Sequence, residues 1–89
     1  MKKVVTVQEV EGEGFMALLG KRVLLFCGNY FYTGTLEGVN EECVLLTDAS
    51  IVYETGAFTD SKFKDSQKLP FPVYIQKSFV ESFTETLNK

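Results

Sequence analysis

Residues 20–49 read Gly20-Lys21-Arg22-Val23-Leu24-Leu25-Phe26-Cys27-Gly28-Asn29-Tyr30-Phe31-Tyr32-Thr33-Gly34-Thr35-Leu36-Glu37-Gly38-Val39-Asn40-Glu41-Glu42-Cys43-Val44-Leu45-Leu46-Thr47-Asp48-Ala49. Val23, Leu25 and Cys27 alternate with Leu24 and Phe26, which predicts a strand that is apolar on both faces. Gly28-Asn29 is a hairpin signal, because both residues tolerate positive φ. The next strand, residues 30–38, carries Gly34 in its middle. A glycine there weakens a flat strand but suits a sharp bend or a close backbone approach, as at a barrel corner. After the polar turn Asn40-Glu41-Glu42, a long strand is expected over residues 43–58, with a bulge or bend at Asp48-Ala49-Ser50. Meandering strands with glycines so placed make a strongly bent sheet that can close on itself.

Working outward, residues 1–11 are β-branched and partly alternating, which fits an extra strand or an N-terminal arm, broken by Gly12 and Gly14. Phe15, Leu18 and Leu19 stand at helical spacing within residues 14–19, and Gly20 can stop that helix in a left-handed cap. Residues 59–69 are polar and read as the longest loop. A strand follows over residues 71–75, which Pro70 and Pro72 restrict to an edge or a strand start, and another over residues 78–84. The fold class is mainly β: a small bent antiparallel sheet or barrel of about five strands with a short N-terminal helix.

The chain of 89 residues is one domain, with no room for a second core. Its 45% hydrophobic and 24% charged residues are ordinary for a globular domain. A net charge of −3 disfavours a monomer that grips duplex DNA through many phosphates. The sequence has no histidine, the commonest metal ligand and general base. It also has no Ser/His, Cys/His, phosphate-loop or zinc pattern, so no enzyme activity, catalytic residue, metal or cofactor is expected. Cys27 and Cys43 lack a Cys-x-x-Cys spacing and read as small buried hydrophobes in a reducing compartment. The polar start makes no signal peptide or membrane span, so an intracellular, cytoplasmic protein is expected.

The order of these features resembles the Sm/LSm family, including its Hfq branch. The first family motif is matched by Leu18, Leu19, Gly20, Val23, Leu25, Asn29, Tyr32, Gly34, Leu36, Gly38, Leu45, Leu46, Asp48 and Ala49. The second is approximated by Val73-Tyr74-Ile75-Gln76-Lys77-Ser78-Phe79-Val80. The resemblance implies an SH3-like barrel in which the fourth strand of one subunit pairs with the fifth of the next. It implies a homo-oligomeric ring of roughly five to seven subunits. It also implies binding of single-stranded RNA, or DNA, without catalysis.

The departures fall on the positions that hold a uridine in the family. Asn40 stands where an Asp is expected, and Glu42 where the stacking residue would be. The base-reading Asn falls on Cys43 or Val44, and the Arg-Gly pair has become Gln76-Lys77. In the Hfq-type alignment its Lys-His pair falls on Ile75-Gln76. A carboxylate in place of a stacking platform removes the π-face and repels phosphate. Asn40, Glu42, Gln76, Lys77 and Ser78 are therefore the candidate nucleic-acid site, in an atypical branch of the family such as the phage-encoded Sm-like proteins.

A second surface combines Lys62, Lys64 and Lys68, interleaved with Phe63, and the aromatics Tyr30 and Tyr32. Basic and aromatic residues together hold single strands without reading sequence. Against this, Asp60 and Asp65 nearly cancel the loop lysines, and the tyrosines suit cross-strand packing. Glu9, Glu11 and Glu13 favour the start of the following helix, and Glu37, Glu41 and Glu42 bracket a turn. Two other readings stand beside a nucleic-acid-binding ring. One is a structural or protein-interaction ring that has lost nucleic-acid binding; the other is an unrelated monomeric SH3-like adaptor.

Overall fold

β1 (Arg22–Cys27) lies between β2 (Phe31–Val39) and β6 (Val80–Glu85) in the computed structural model, which describes residues 14–87 and 89. β2 pairs in turn with β3 (Cys43–Glu54), the longest strand. β3 then carries two further strands along its other edge, β4 (Asp65–Lys68) and β5 (Val73–Gln76). All pairings are antiparallel, and the sheet has six strands. The expected extra strand or arm over residues 1–11 lies outside the described residues.

The alternation in β1 has the predicted consequence. Val23, Leu25 and Cys27 point into the bend of the sheet, where they pack with Leu36, Val44, Leu46, Ala49 and Ile75. Each fully buried aliphatic side chain there stabilises the fold by about 1.5–3 kcal/mol. Gly34 is what lets β2 cross this core. A Cβ at that position would lie 3.0 Å from the Leu46 Cβ, 3.0 Å from the Thr47 carbonyl oxygen and 3.3 Å from the Ala49 Cα. Opposite it, the register slips between Thr33↔Ser50 and Thr35↔Thr47, so β3 carries one extra residue as a bulge. Asp48 within the bulge has φ 48°, a left-handed value for a non-glycine residue.

The outer face of the same strands has its own cover. Leu24 is fully buried although it alternates with the inner residues. Phe26 meets Phe31 edge-on at 4.8 Å and Phe58 at 6.5 Å between ring centroids. The Lys89 ammonium sits 4.6 Å from the Phe63 ring centroid and 5.6 Å from that of Phe58, and donates to the Ala57 carbonyl at 3.1 Å. Arg22 fastens this layer: its Nε and Nη2 donate to the Lys89 carbonyl at 3.0 and 2.6 Å, and Nη1 donates to the Asp48 carbonyl at 2.9 Å.

Five expectations are corrected. β3 ends at Glu54 rather than near residue 58, because Gly56 at φ 67° turns the chain and sends Phe58 back onto Phe26. The stretch 59–69 is not all loop, since Asp65–Lys68 forms β4 against Ser50–Glu54 of β3. The strand expected over residues 71–75 runs from Val73 to Gln76, and the one expected from residue 78 begins at Val80, after a 3-10 turn at Lys77–Phe79. The N-terminal helix is a 3-10 helix, Gly14–Leu18. It does end as read: Gly20 at φ 81° donates its N–H to the Leu36 carbonyl at 2.7 Å.

β4 and β5 are two pieces of one lane. Lys68 faces Ser50 and Val73 faces Leu46 along β3, so both halves follow nearly the same register. Between them Leu69 still donates to the Ala49 carbonyl at 2.8 Å, but Pro70 and Pro72 have no N–H to offer. The prolines and the Asp48 bulge therefore split a lane that would otherwise be continuous.

Candidate functional site

The turn between β2 and β3 is built by Asn40. Its Oδ1 accepts from the backbone N–H of Glu42 and of Cys43, both at 2.8 Å, and its own N–H donates to the Cys43 carbonyl at 3.0 Å. This is the Asx geometry in which a short side chain replaces a backbone acceptor. The turn then docks on the end of β5. Cys43 pairs with Gln76, and the Lys77 N–H donates to the Glu42 carbonyl at 2.8 Å. Two segments 34 residues apart, as the positions of Cys43 and Lys77 count, thus meet at one point.

Around that point lies an open cleft of about 520 Å³ lined by Glu41, Glu42, Cys43, Tyr74, Gln76, Lys77 and Ser78. Four of the five candidate residues, Glu42, Gln76, Lys77 and Ser78, line it. The fifth, Asn40, shapes the turn, and its amide oxygen is occupied by that work. Lys77 is half-buried, and its ammonium stands 5.6 Å from the ring centroid of Phe15. Phe15 in turn stacks on Phe83 with centroids 3.8 Å apart and 16° between planes. A cation over an aromatic face is drawn to it electrostatically, so the 3-10 helix holds Lys77 at the rim of the cleft.

The second candidate surface is not one face. Lys64 pairs with Glu54 at 3.4 Å and Lys68 with Asp48 at 3.2 Å, while Lys62 is exposed in the loop before β4. Tyr30 meets Tyr53 edge-on at 6.2 Å, and the Tyr53 hydroxyl donates to Gln67 Oε1 at 3.0 Å. Tyr30 and Tyr32 instead line a smaller cleft of about 270 Å³ with Cys27, Asn29, Tyr74, Gln76 and Phe79 among its walls. Among the described residues no charged side chain lines it. Burial raises the thiol of Cys27 above its ordinary range, with the Glu81 carboxylate adding to the effect. Burial likewise raises the Tyr32 phenol, with Cys27 and Tyr30 adding smaller contributions. Both groups are neutral in the fold at ordinary pH.

Tyr74 is the site residue that sequence reasoning missed. It is 70% exposed, lines both clefts and lies on the same face of β5 as Gln76, with buried Ile75 between them. The signal was the alternation Val73-Tyr74-Ile75-Gln76, which puts an aromatic outward two residues before the candidate amide. Among the described residues no group of three or more His, Cys, Asp or Glu is placed to hold a metal ion, and no helix is long and apolar enough to cross a membrane.

A bent antiparallel sheet, a 3-10 helix leading into its first strand, and a cleft where the β2–β3 turn meets the end of β5 define a small β-barrel. Its fold is that of the Sm proteins. No protein-family model and no curated protein matches the sequence. The structure is similar to that of a heptameric archaeal Sm protein, with a TM-score of 0.64 at 16% identity over 81% of this chain and 94% of the other. It is similar to the SmAP1 heptamer of P. aerophilum, also with a TM-score of 0.64 at 16% identity, over 81% of this chain and 86% of the other. A Pyrococcus abyssii Sm protein, solved in complex with a uridine heptamer, superposes with a TM-score of 0.58 at 20% identity over 81% of this chain and 92% of the other.

Proposed function

We propose that this chain is a cytoplasmic, non-catalytic Sm-like protein that assembles into a homo-oligomeric ring and binds single-stranded nucleic acid, RNA in preference to DNA. The observation that carries the reading is the junction at which the Lys77 N–H meets the Glu42 carbonyl. It gathers Glu42, Gln76, Lys77 and Ser78 from two distant segments into one cleft with donors, acceptors and an exposed aromatic ring.

Two observations support assembly. Among the described residues β5 pairs only with β3 and β6 only with β1, so each keeps a free edge that another strand can join. Around the β5 edge Phe71 and Phe79 are 77% and 62% exposed, an apolar surface that a neighbouring copy would cover. Two of the similar proteins are heptamers, and a third was solved with a uridine heptamer. In a ring, one weak site per subunit gains affinity through effective concentration.

A structural ring without nucleic-acid binding is the second reading. It is favoured by Glu41 and Glu42, which put two carboxylates in the cleft of a chain that already carries a net charge of −3. Light scattering of the purified protein tests the ring, and a monomer would defeat both readings. Anisotropy titrations of labelled single strands over a range of salt separate them. Binding that weakens with salt supports the nucleic-acid reading; no binding at low salt with micromolar protein leaves the structural ring.

A further inference from the structure

The cleft at Gln76 differs chemically from a site built to hold uracil. Its exposed ring comes from β5, as Tyr74, and its turn contributes the two carboxylates Glu41 and Glu42. Among the described residues neither carboxylate has an ion-pair partner, and the Lys77 ammonium is directed to the Phe15 ring. The Glu42 backbone is held against Lys77 by the 2.8 Å hydrogen bond, and Glu42 lines the cleft beside Gln76 and Ser78.

We propose that this cleft selects bases that carry an exocyclic amino group (adenine, cytosine or guanine) over uracil, with Tyr74 as the stacking face and Glu42 as the acceptor that reads the amino group. The inference rests on the nucleic-acid reading above and assigns its base preference. A carboxylate has acceptors only. Uracil presents one ring N–H flanked by two carbonyl oxygens, so a carboxylate brought to that N–H also meets lone pairs. Adenine and cytosine present an amino donor beside a ring-nitrogen acceptor. The carboxylate takes the donor, and the amide of Gln76 or the hydroxyl of Ser78 serves the acceptor. Guanine presents two adjacent N–H donors, which match both oxygens of one carboxylate. Tyr74 supplies the π-face that Glu42 lacks, and stacking on it tolerates any base, so selection falls to the carboxylate.

The test uses the full chain and labelled oligo-C, oligo-A and oligo-U of equal length in low-salt anisotropy titrations. Oligo-C and oligo-A bind roughly three- to tenfold more tightly than oligo-U. Glu42→Gln brings the three within about twofold of one another while light scattering finds the same assembly mass. Tyr74→Leu weakens all three alike. Oligo-U binding as tightly as oligo-C and oligo-A overturns the inference and leaves the nucleic-acid reading standing. Discrimination that survives in Glu42→Gln overturns the role of Glu42. If none of the three strands binds, the nucleic-acid reading itself fails and this inference falls with it.

Discussion

The backbone N–H of Lys77 donates to the carbonyl of Glu42 at 2.8 Å, and this one bond joins the β2–β3 turn to the segment that links β5 and β6. It makes the candidate site a property of the fold rather than of either segment. It also fixes where a cation can stand relative to the acidic turn.

Lys77→Ala tests that cation directly. Removing the ammonium lowers affinity for single strands and makes log K less steep in log salt by about one unit, because one phosphate contact is lost. Anisotropy titrations at several salt concentrations read both effects. An unchanged slope assigns phosphate binding to another face.

Asn40 acts on the same cleft through its turn. Asn40→Ala removes two accepted hydrogen bonds and costs about 1–2 kcal/mol in denaturant melts. Asn40→Asp keeps an oxygen in the same place and retains most of that stability. A similar loss in both variants would contradict the acceptor role.

At the core, Gly34→Ala destabilises by about 1–3 kcal/mol, because the new methyl meets backbone at Thr47 and Ala49 as well as the Leu46 side chain. Gly38→Ala is the control. Its nearest neighbour would be the Leu45 Cβ at 3.8 Å, an ordinary contact, so it costs within about 1 kcal/mol. Parallel urea melts of the two variants read the difference.

Arg22 holds the outer layer by a planar fork that lysine cannot reproduce. Arg22→Lys therefore loses the paired bonds to the Lys89 carbonyl and loosens the cover formed by Phe58 and Phe63. Faster proteolysis within residues 55–64 is expected, alongside a lower melting temperature. Unchanged cleavage would show that the loop holds without Arg22.

The raised thiol of Cys27 has a pH signature. The folded state holds its proton more tightly than the unfolded state does, so its contribution is complete below the ordinary thiol value of 9.0 and is lost as pH rises past it. Stability should fall with alkaline pH above that value, and less steeply in Cys27→Ala. The Tyr32 phenol acts in the same direction above its ordinary value of 10.0. At neutral pH, alkylation followed by mass spectrometry should label half-buried Cys43 before buried Cys27.

Much of the fold was legible because local chemistry dictated it. Gly34 marked a sharp bend or close approach, Gly20 a left-handed cap and Asp48-Ala49-Ser50 a bulge or bend, and the fold has the close approach, the cap and the bulge. β4 was not legible: Asp65, Ser66, Gln67 and Lys68 are all exposed, so no apolar alternation announces it, and only the backbone ladder to β3 makes it a strand. The end of β3 was misread because Phe58 looks like strand continuation, whereas Gly56 reverses the chain before it. Of the candidate site, residue types and their grouping could be read through the family resemblance. The exposure of Tyr74 could not, nor could the pull of Phe15 on Lys77.

The sequence by itself determined the class of sheet, its bend and its inner core, because alternation and glycine conformation act over a few neighbouring residues. Only the tertiary structure decided what the cleft contains. Asn40 turned out to be spent on its own turn, Lys77 was drawn to an aromatic ring some sixty residues earlier in the chain, and Tyr74 was left facing out beside Glu42. Those outcomes depend on hydrogen bonds and contacts between segments far apart in the chain, and such pairings leave no local pattern to read.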